Sequence, residues 1–352
     1  MTGLRLVVTG GQGFLGQRLA AALLGRPDVT RLDLIDAVEV PAVAPGPPDD
    51  PRVHHHVADV TDGAALLAIL AGADATGVFH LAAMVSAACE EDPEGAWRVN
   101  VEGTRAVLEA ARAQGPSTRV VVTSSVAVFG PTLPGEQVSD RTAHRPRSTY
   151  GMTKALGELL VDDWTRHGWI DGRTARLPTV VVRPGRPNRA ASGFASGLFR
   201  EPLAGVGTVV PVPLATRMVL IGPATAVAGL VALHDLPGEA LGPGRAVGFP
   251  ALEVTVAEMV ATLERAGERH GRTLGPVSLQ VDPAIEVVVA SWPGGWDATR
   301  ARALGLPGWR PSRPARRRPP PRWLGRPAAR PGPASGRGAR RPAPARPPSR
   351  PR

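Results

Sequence analysis

Tyr150 and Lys154, in the run Thr149-Tyr150-Gly151-Met152-Thr153-Lys154, are the side chains of this sequence whose spacing points most directly to chemistry. On a helix, residues four apart share a face, so a phenol and an ammonium would stand side by side. A phenol with an ordinary pKa of about 10 is a weak base at neutral pH, and a neighbouring cation favours its ionised form. The expectation is a Tyr150 pKa below its ordinary value. Tyr150 is the single tyrosine among 352 residues, so its titration would stand alone in the spectrum. A surface aromatic beside a surface lysine has the same spacing. The pair therefore gains meaning only from the elements that position it.

The first of these elements is an apolar, β-branched run over residues 4–9, read as a buried strand. Gly10-Gly11-Gln12-Gly13-Phe14-Leu15-Gly16 follows it, and residues 17–24 read as a helix. In a strand, glycine turn and helix arranged this way, the backbone approaches a pyrophosphate closely and free amides at the helix N-terminus meet its charge. Gly10, Gly13, Phe14, Leu15 and Gly16 are accordingly candidate dinucleotide contacts. Residues 31–35 read as a second strand ending at Asp36. A carboxylate there accepts hydrogen bonds from both ribose hydroxyls and repels a 2′-phosphate, which favours NAD over NADP. Asp59 and Val60 close a third strand over residues 53–57, where a side-chain acceptor reaches toward the adenine amino group. His54, His55 and His56 alternate between the faces of that strand and cannot converge on one ion, so no metal site is expected.

Residues 77–83 read as a fourth strand running into small side chains, against which a flat cofactor can lie. Residues 94–114 read as one long helix containing Asn100, and residues 119–123 as a fifth strand leading to Ser124 and Ser125. A hydroxyl at the carboxyl end of a central strand sits where open α/β sheets bind ligands. A further strand is expected near residues 176–182, completing the sheet. Alternation through six units predicts an α/β fold: a Rossmann-type doubly wound parallel sheet with a smaller C-terminal substrate-binding region. The expected division is a nucleotide-binding domain over residues 1–185 with chain return near 216–235, and a mainly substrate-binding region over 186–306.

Composition sets the outer limits. With 43% hydrophobic residues the chain can bury a large core. The lone cysteine, Cys89, excludes an internal disulfide and suits a reducing compartment. No signal peptide and no bilayer-spanning apolar stretch are read, which points to the cytoplasm. The net charge of +10 resembles a nucleic-acid signal, but residues 310–352 hold 14 arginines and no acid, so the body is mildly acidic. That segment, with 13 prolines between Pro311 and Pro351, cannot bury enough apolar surface to fold. The stretch over residues 307–352 is either a disordered basic tail that binds polyanions non-specifically or, the favoured reading, a frameshifted end.

Together, Thr9-Gly10 through Gly16, Asp36, Ser125, and Tyr150 with Lys154 resemble the extended short-chain dehydrogenase/reductase family, whose members carry TGxxGxxG, an acid after the second strand, a serine and YxxxK in this order. The resemblance selects Ser125 over Ser124 as the catalytic hydroxyl. It also implies that Leu81, Ala82, Ala83, Pro178 and Val180 contact the cofactor, and that Asn100 holds a water near Lys154. Segments such as Asp171-Gly172-Arg173, Phe194-Ala195-Ser196-Gly197 and Ala290-Ser291-Trp292-Pro293 resemble a branch that oxidises four-carbon sugar acids such as D-erythronate beside the carboxylate, with NAD as acceptor. The alternative within the family is a nucleotide-sugar epimerase or dehydratase that keeps its cofactor. A carboxylate substrate calls for a cation, and Arg183 and Arg217 are the rivals. Ser86 and Asn188 are candidates for the remaining hydroxyls. The expected partner is a small sugar acid, without membrane; a homodimer is left open.

Overall fold

The structure, a computed structural model, describes residues 3–38, 50–184 and 190–308. Asn188 and the arginine- and proline-rich stretch from residue 309 lie outside the described residues. The main sheet begins with β1 (Leu4–Thr9), β2 (Val29–Asp36), β3 (Val53–Val57), β4 (Gly77–His80), β5 (Arg119–Ser125) and β6 (Asp171–Leu177). The smaller sheets use β7 (Thr179–Val180), β8 (Thr208–Val210), β9 (Arg217–Ile221), β11 (Leu252–Thr255) and β12 (Val277–Leu279), while β10 (Ala246–Gly248) returns to the main one. Its seven strands run in the order β10-β6-β5-β4-β1-β2-β3, and every pairing is parallel. The order reverses between β1 and β4, which opens a crevice at the carboxyl ends of the strands.

Both faces of this sheet are covered, which explains why its strands read as apolar runs without alternation. Leu6 and Val8 face one side, packing with Leu19 and Leu23 of α1 (Phe14–Leu24), and with Leu230 and Leu233 of α8 (Pro223–Asp235). Val7 faces the other side, toward Leu66 and Leu70 of α2 (Gly63–Ala73), Val107 and Leu108 of α5 (Gly103–Gln114) and Val161 of α6 (Thr149–Arg166). Leu6, Val7 and Val8 are fully buried. Each such side chain stabilises the fold by about 1.5–3 kcal/mol. A third core lies between α7 (Gly193–Leu203), α9 (Val256–Arg269) and the smaller sheets, with Leu198, Val210, Leu220, Met259 and Leu263 at its centre. The remaining helices are short: α3 (Ser86–Glu91), α4 (Pro93–Trp97), α10 (Pro283–Ala290) and α11 (Thr299–Ala303).

Three sequence expectations change in detail. The strand expected near residues 176–182 is β6, which ends at Leu177, and it does not complete the sheet. β10, from the second half of the chain, pairs beyond it, with Val247 opposite Ala175. The fourth strand stops at His80, although Leu81 N still donates to Thr9 O at 3.0 Å. The single helix expected over residues 94–114 is interrupted by a π-helical turn, Arg98–Glu102, between α4 and α5. Within this turn the Asn100 side chain reaches the Met84 backbone, donating to its carbonyl at 3.2 Å and accepting from its amide at 2.8 Å. Such turns widen the helix by one residue and cluster at functional sites.

Candidate active site

The glycine turn is shaped by close approach. Gly10 has φ of +71°, and a Cβ there would lie 2.8 Å from Ala82 N; a Cβ on Gly16 would lie 2.1 Å from Gly10 O. Only glycine fits either place. α1 begins at Phe14 after Gly13, which has no side chain to cap it, and among the described residues its first amides have no side-chain partner; Gly13 to Gly16 line the crevice. Asp36, at the end of β2, accepts from Gln12 N at 3.1 Å, which sets its carboxylate beside the same turn. A glycine cradle that a Cβ would fill, an uncapped helix N-terminus and a carboxylate at the neighbouring strand end fit the pyrophosphate and ribose of a dinucleotide.

Tyr150 and Lys154 lie across a cleft of about 270 Å³ from this turn. Ser148 caps α6, accepting from Gly151 N at 3.1 Å. A Cβ on Gly151 would sit 2.1 Å from Ala127 O, so glycine at this position lets the helix press onto the turn that follows Ser125. Tyr150, Lys154, Ser125, Gly10, Gly13, Phe14, Leu15, Gly16, Leu81, Ala83, Pro178 and Val180 all line the cleft. Ala82 meets the glycine turn through its backbone instead. Val60 is buried beneath Gly103, while Asp59 is exposed and accepts from the Thr61 amide and hydroxyl, each at 2.9 Å. Ser124 and Ser125 point to different partners. Ser124 donates to the buried carboxylate of Glu158 at 2.5 Å, whereas Ser125 Oγ accepts from Ala127 N at 3.2 Å and lines the cleft with Tyr150.

The charge states correct one expectation. Burial pushes the Tyr150 phenol up to about 12, against a smaller downward pull from Ser125. Burial also lowers the Lys154 ammonium to about 8. Its Nζ donates to Thr123 O at 3.1 Å and stands 5.9 Å from the Tyr150 ring centre. Helical spacing places the two on one face, but the lysine donates to a strand carbonyl, so desolvation decides the direction.

A buried polar chain supports this face, and of its side chains sequence reasoning had given a role only to Asn100. The Thr104 hydroxyl donates to Asn100 O at 2.6 Å, so it must accept from His80 Nε2–H at 3.0 Å, leaving His80 Nδ1 to accept from Thr9 Oγ1 at 2.7 Å. Asn100 then donates to Thr153 Oγ1 at 3.1 Å, and Thr153 donates to Tyr150 O at 3.0 Å. Burial first, and Lys154 second, hold His80 down at about 3, so it stays neutral. Asn100 thus ties the turn after β4 to α6 from behind the cleft lining.

Residues from four distant segments close the far end: Val85 and Ser86, Arg183, Ala190 and Ser192, and Trp292. Arg183 donates to Ser192 Oγ at 3.0 Å, and Ser86 Oγ accepts from Ala191 N at 3.1 Å. Arg217 is elsewhere: it is exposed, bonded to Gly294 O at 3.1 Å and Glu253 at 3.4 Å. Ser192 carried no sequence signal, and Trp292 stood only inside a segment of family resemblance without an assigned role, because nothing in their local patterns shows that the chain folds back on Tyr150.

Residues 6–216 match the NAD dependent epimerase/dehydratase family. The chain belongs to this family. It is 45% identical over 312 residues to a D-erythronate dehydrogenase of Cupriavidus necator, covering 86% of this chain and 94% of that one. It is 41% identical over 303 residues to a D-erythronate dehydrogenase of Haemophilus influenzae, again covering 86% and 94%. Among solved structures, a nucleoside-diphosphate-sugar epimerase from Agrobacterium tumefaciens superposes with a TM-score of 0.76 at 35% identity, covering 87% of this chain and 90% of its own. Membership in the family accounts for the dinucleotide cradle and indicates NAD(H) as the cofactor. Among the described residues, no helix is long and apolar enough to cross a membrane, and no cluster of His, Cys, Asp and Glu is arranged to hold a metal.

Proposed function

We propose that this protein is an NAD-dependent dehydrogenase that oxidises the 2-hydroxyl of a small sugar acid, D-erythronate, to the 2-oxo acid. The observation that carries this reading is Arg183 lining the same cleft as Tyr150 and Ser125, which sets a carboxylate-binding cation beside a proton-transfer pair. The two relatives named D-erythronate dehydrogenase agree with it. In this reading the glycine turn and the first amides of α1 hold the pyrophosphate, Asp36 the adenine ribose, and Lys154 the nicotinamide ribose. Leu81, Ala83, Pro178 and Val180 pack against the cofactor. When bound, NAD would supply the hydride acceptor and the positive charge of its nicotinamide.

The protein's own groups then divide the work. Ser125 donates a hydrogen bond to the substrate hydroxyl oxygen and fixes it against Tyr150. Tyr150 takes the proton of that hydroxyl, and the positive charge of its surroundings must offset the burial that holds it at about 12. Arg183 grips the carboxylate through its planar fork, which orients the neighbouring carbon. Burial lowers the Arg183 pKa, yet a guanidinium keeps its proton in proteins, so the cation persists. Asp36 repels a 2′-phosphate and selects NAD over NADP.

NADH formation should be measured across four-carbon and five-carbon aldonates, with D-erythronate and NAD expected to give the highest kcat/KM. A second reading is favoured by the likeness to the Agrobacterium nucleoside-diphosphate-sugar epimerase: a nucleotide-sugar epimerase that retains its cofactor. Turnover of a nucleotide sugar without added NAD, together with no NADH formation from any aldonate, would replace the first reading by the second.

A further inference from the structure

Arg183 follows β7 in a stretch that belongs to no strand or helix, yet a single helix fixes it through three groups. Its amide donates to Ser196 Oγ at 3.0 Å, its carbonyl accepts from Arg200 Nη1 at 2.6 Å, and its guanidinium donates to Ser192 Oγ at 3.0 Å. Ser192 precedes α7, and Ser196 and Arg200 stand four and eight residues further on, so all three share one face of that helix. Three side chains of one face thus converge on one residue of another segment.

The face is itself well anchored. Ala195 and Leu198 seat α7 in the third core, and Ser196 is 1% exposed. Arg200 is steadied by Glu201, whose Oε1 accepts from its Nε at 3.2 Å. Arg183, by contrast, pairs with no carboxylate among the described residues: burial works against its charge, and Tyr150 is the neighbour that favours it. Arg183 in turn draws the Tyr150 phenol downward, so the two side chains lie within electrostatic reach across the cleft. A cation held without an acid is complementary to an anion that arrives with the ligand. An arginine side chain loses much rotamer freedom on binding, and prior bonds to the protein remove part of that cost from the binding step.

We infer that the face of α7 formed by Ser192, Ser196 and Arg200 is a positioning device for the carboxylate site: it holds Arg183 in the geometry that grips the anion and so sets the preference for a sugar acid over its uncharged analogue. The inference rests on the sugar-acid reading given above. Ser192 also lines the cleft, whereas Ser196 and Arg200 lie behind its lining and act through Arg183.

The test measures kcat/KM for D-erythronate and for D-erythronamide, its uncharged amide, in the unsubstituted protein, Ser196→Ala, Arg183→Ala and the double variant. Ser196→Ala should lower kcat/KM for the acid by about threefold to tenfold, mainly through KM, and for the amide by less than about twofold. In the Arg183→Ala background the same substitution should cost the acid less than about twofold, because groups that act as one unit are not additive. Equal losses on acid and amide, or an undiminished loss in the Arg183→Ala background, would mean that Ser196 only supports the fold, and would overturn the inference. Should Ser196→Ala not fold, Arg200→Met, at a partly exposed position, takes its place in the same cycle with the same expectations. Full efficiency of Arg183→Ala on the acid would remove the carboxylate from Arg183 and this inference with it, whereas turnover of no aldonate by the unsubstituted protein would overturn the sugar-acid reading itself.

Discussion

The two ends of the cleft are built by different means. At the nucleotide end, Gly10 through Gly16 supply backbone amides, and Asp36 stands one strand away, bonded to Gln12 of the same turn. At the end proposed for the substrate the lining groups are side chains, Ser86, Arg183, Ser192 and Trp292, drawn from segments separated by as many as two hundred residues. A backbone cradle recognises what every dinucleotide shares, whereas side chains on separate segments can change one at a time. The nucleotide end should therefore tolerate almost no local change without losing its cofactor, and the substrate end should trade specificity while NAD binding persists.

Tyr150→Phe tests the junction of the two ends and should have the largest effect. The reaction should slow by about 10²- to 10⁴-fold in kcat while NADH affinity stays within about threefold, as expected for loss of one acid–base group. Retention of full activity by this variant would remove Tyr150 from the proton-transfer role. At the substrate end, Arg183→Ala should lower kcat/KM for the aldonate by about tenfold to a hundredfold, the worth of a charge-assisted bond, and leave NAD binding unchanged. Arg217→Ala, outside the cleft, should change neither by more than about threefold. The reverse pattern would hand the carboxylate to Arg217.

At the nucleotide end, Asp36→Ala should weaken NAD and narrow the preference for NAD over NADP by about tenfold, read from kcat/KM with each cofactor. Equal efficiency of the unsubstituted protein with both cofactors would sink the role assigned to this carboxylate. The smallest effect is on stability against pH. Burial depresses Lys154 from 10.5 to about 8, so the unfolded chain binds more protons between these values. Relative to Lys154→Met, the unsubstituted protein should gain stability as pH rises from about 8 to 10.5, and lose that gain as pH falls through about 8. Tyr150, raised from 10.0 to about 12, has the opposite sign: its contribution is full below 10.0 and lost as pH rises through about 12. Denaturant midpoints across this range would show both, and a flat difference between Lys154→Met and the unsubstituted protein would mean that Lys154 is not desolvated.

Local sequence carries the nucleotide end because its requirements are local. A glycine that must adopt positive φ, a helix that must start at Gly13 and an acid at the next strand end are properties of consecutive residues, and the apolar runs of β1, β2 and β5 follow from burial on both faces. The face shared by Tyr150 and Lys154 is likewise a consequence of helical period. What spacing could not supply was the sign of the Tyr150 shift, because burial and the capture of Lys154 by Thr123 O depend on strands packed around α6. Nor could it decide between Arg183 and Arg217, find the seventh strand contributed by residues 246–248, or bring Trp292 to Tyr150. These are contacts between segments remote along the chain, each with an unremarkable local pattern. Only the packing of the second half against the sheet selects which of them meet, since burial free energy depends on total apolar area enclosed and not on the order of residues along the chain.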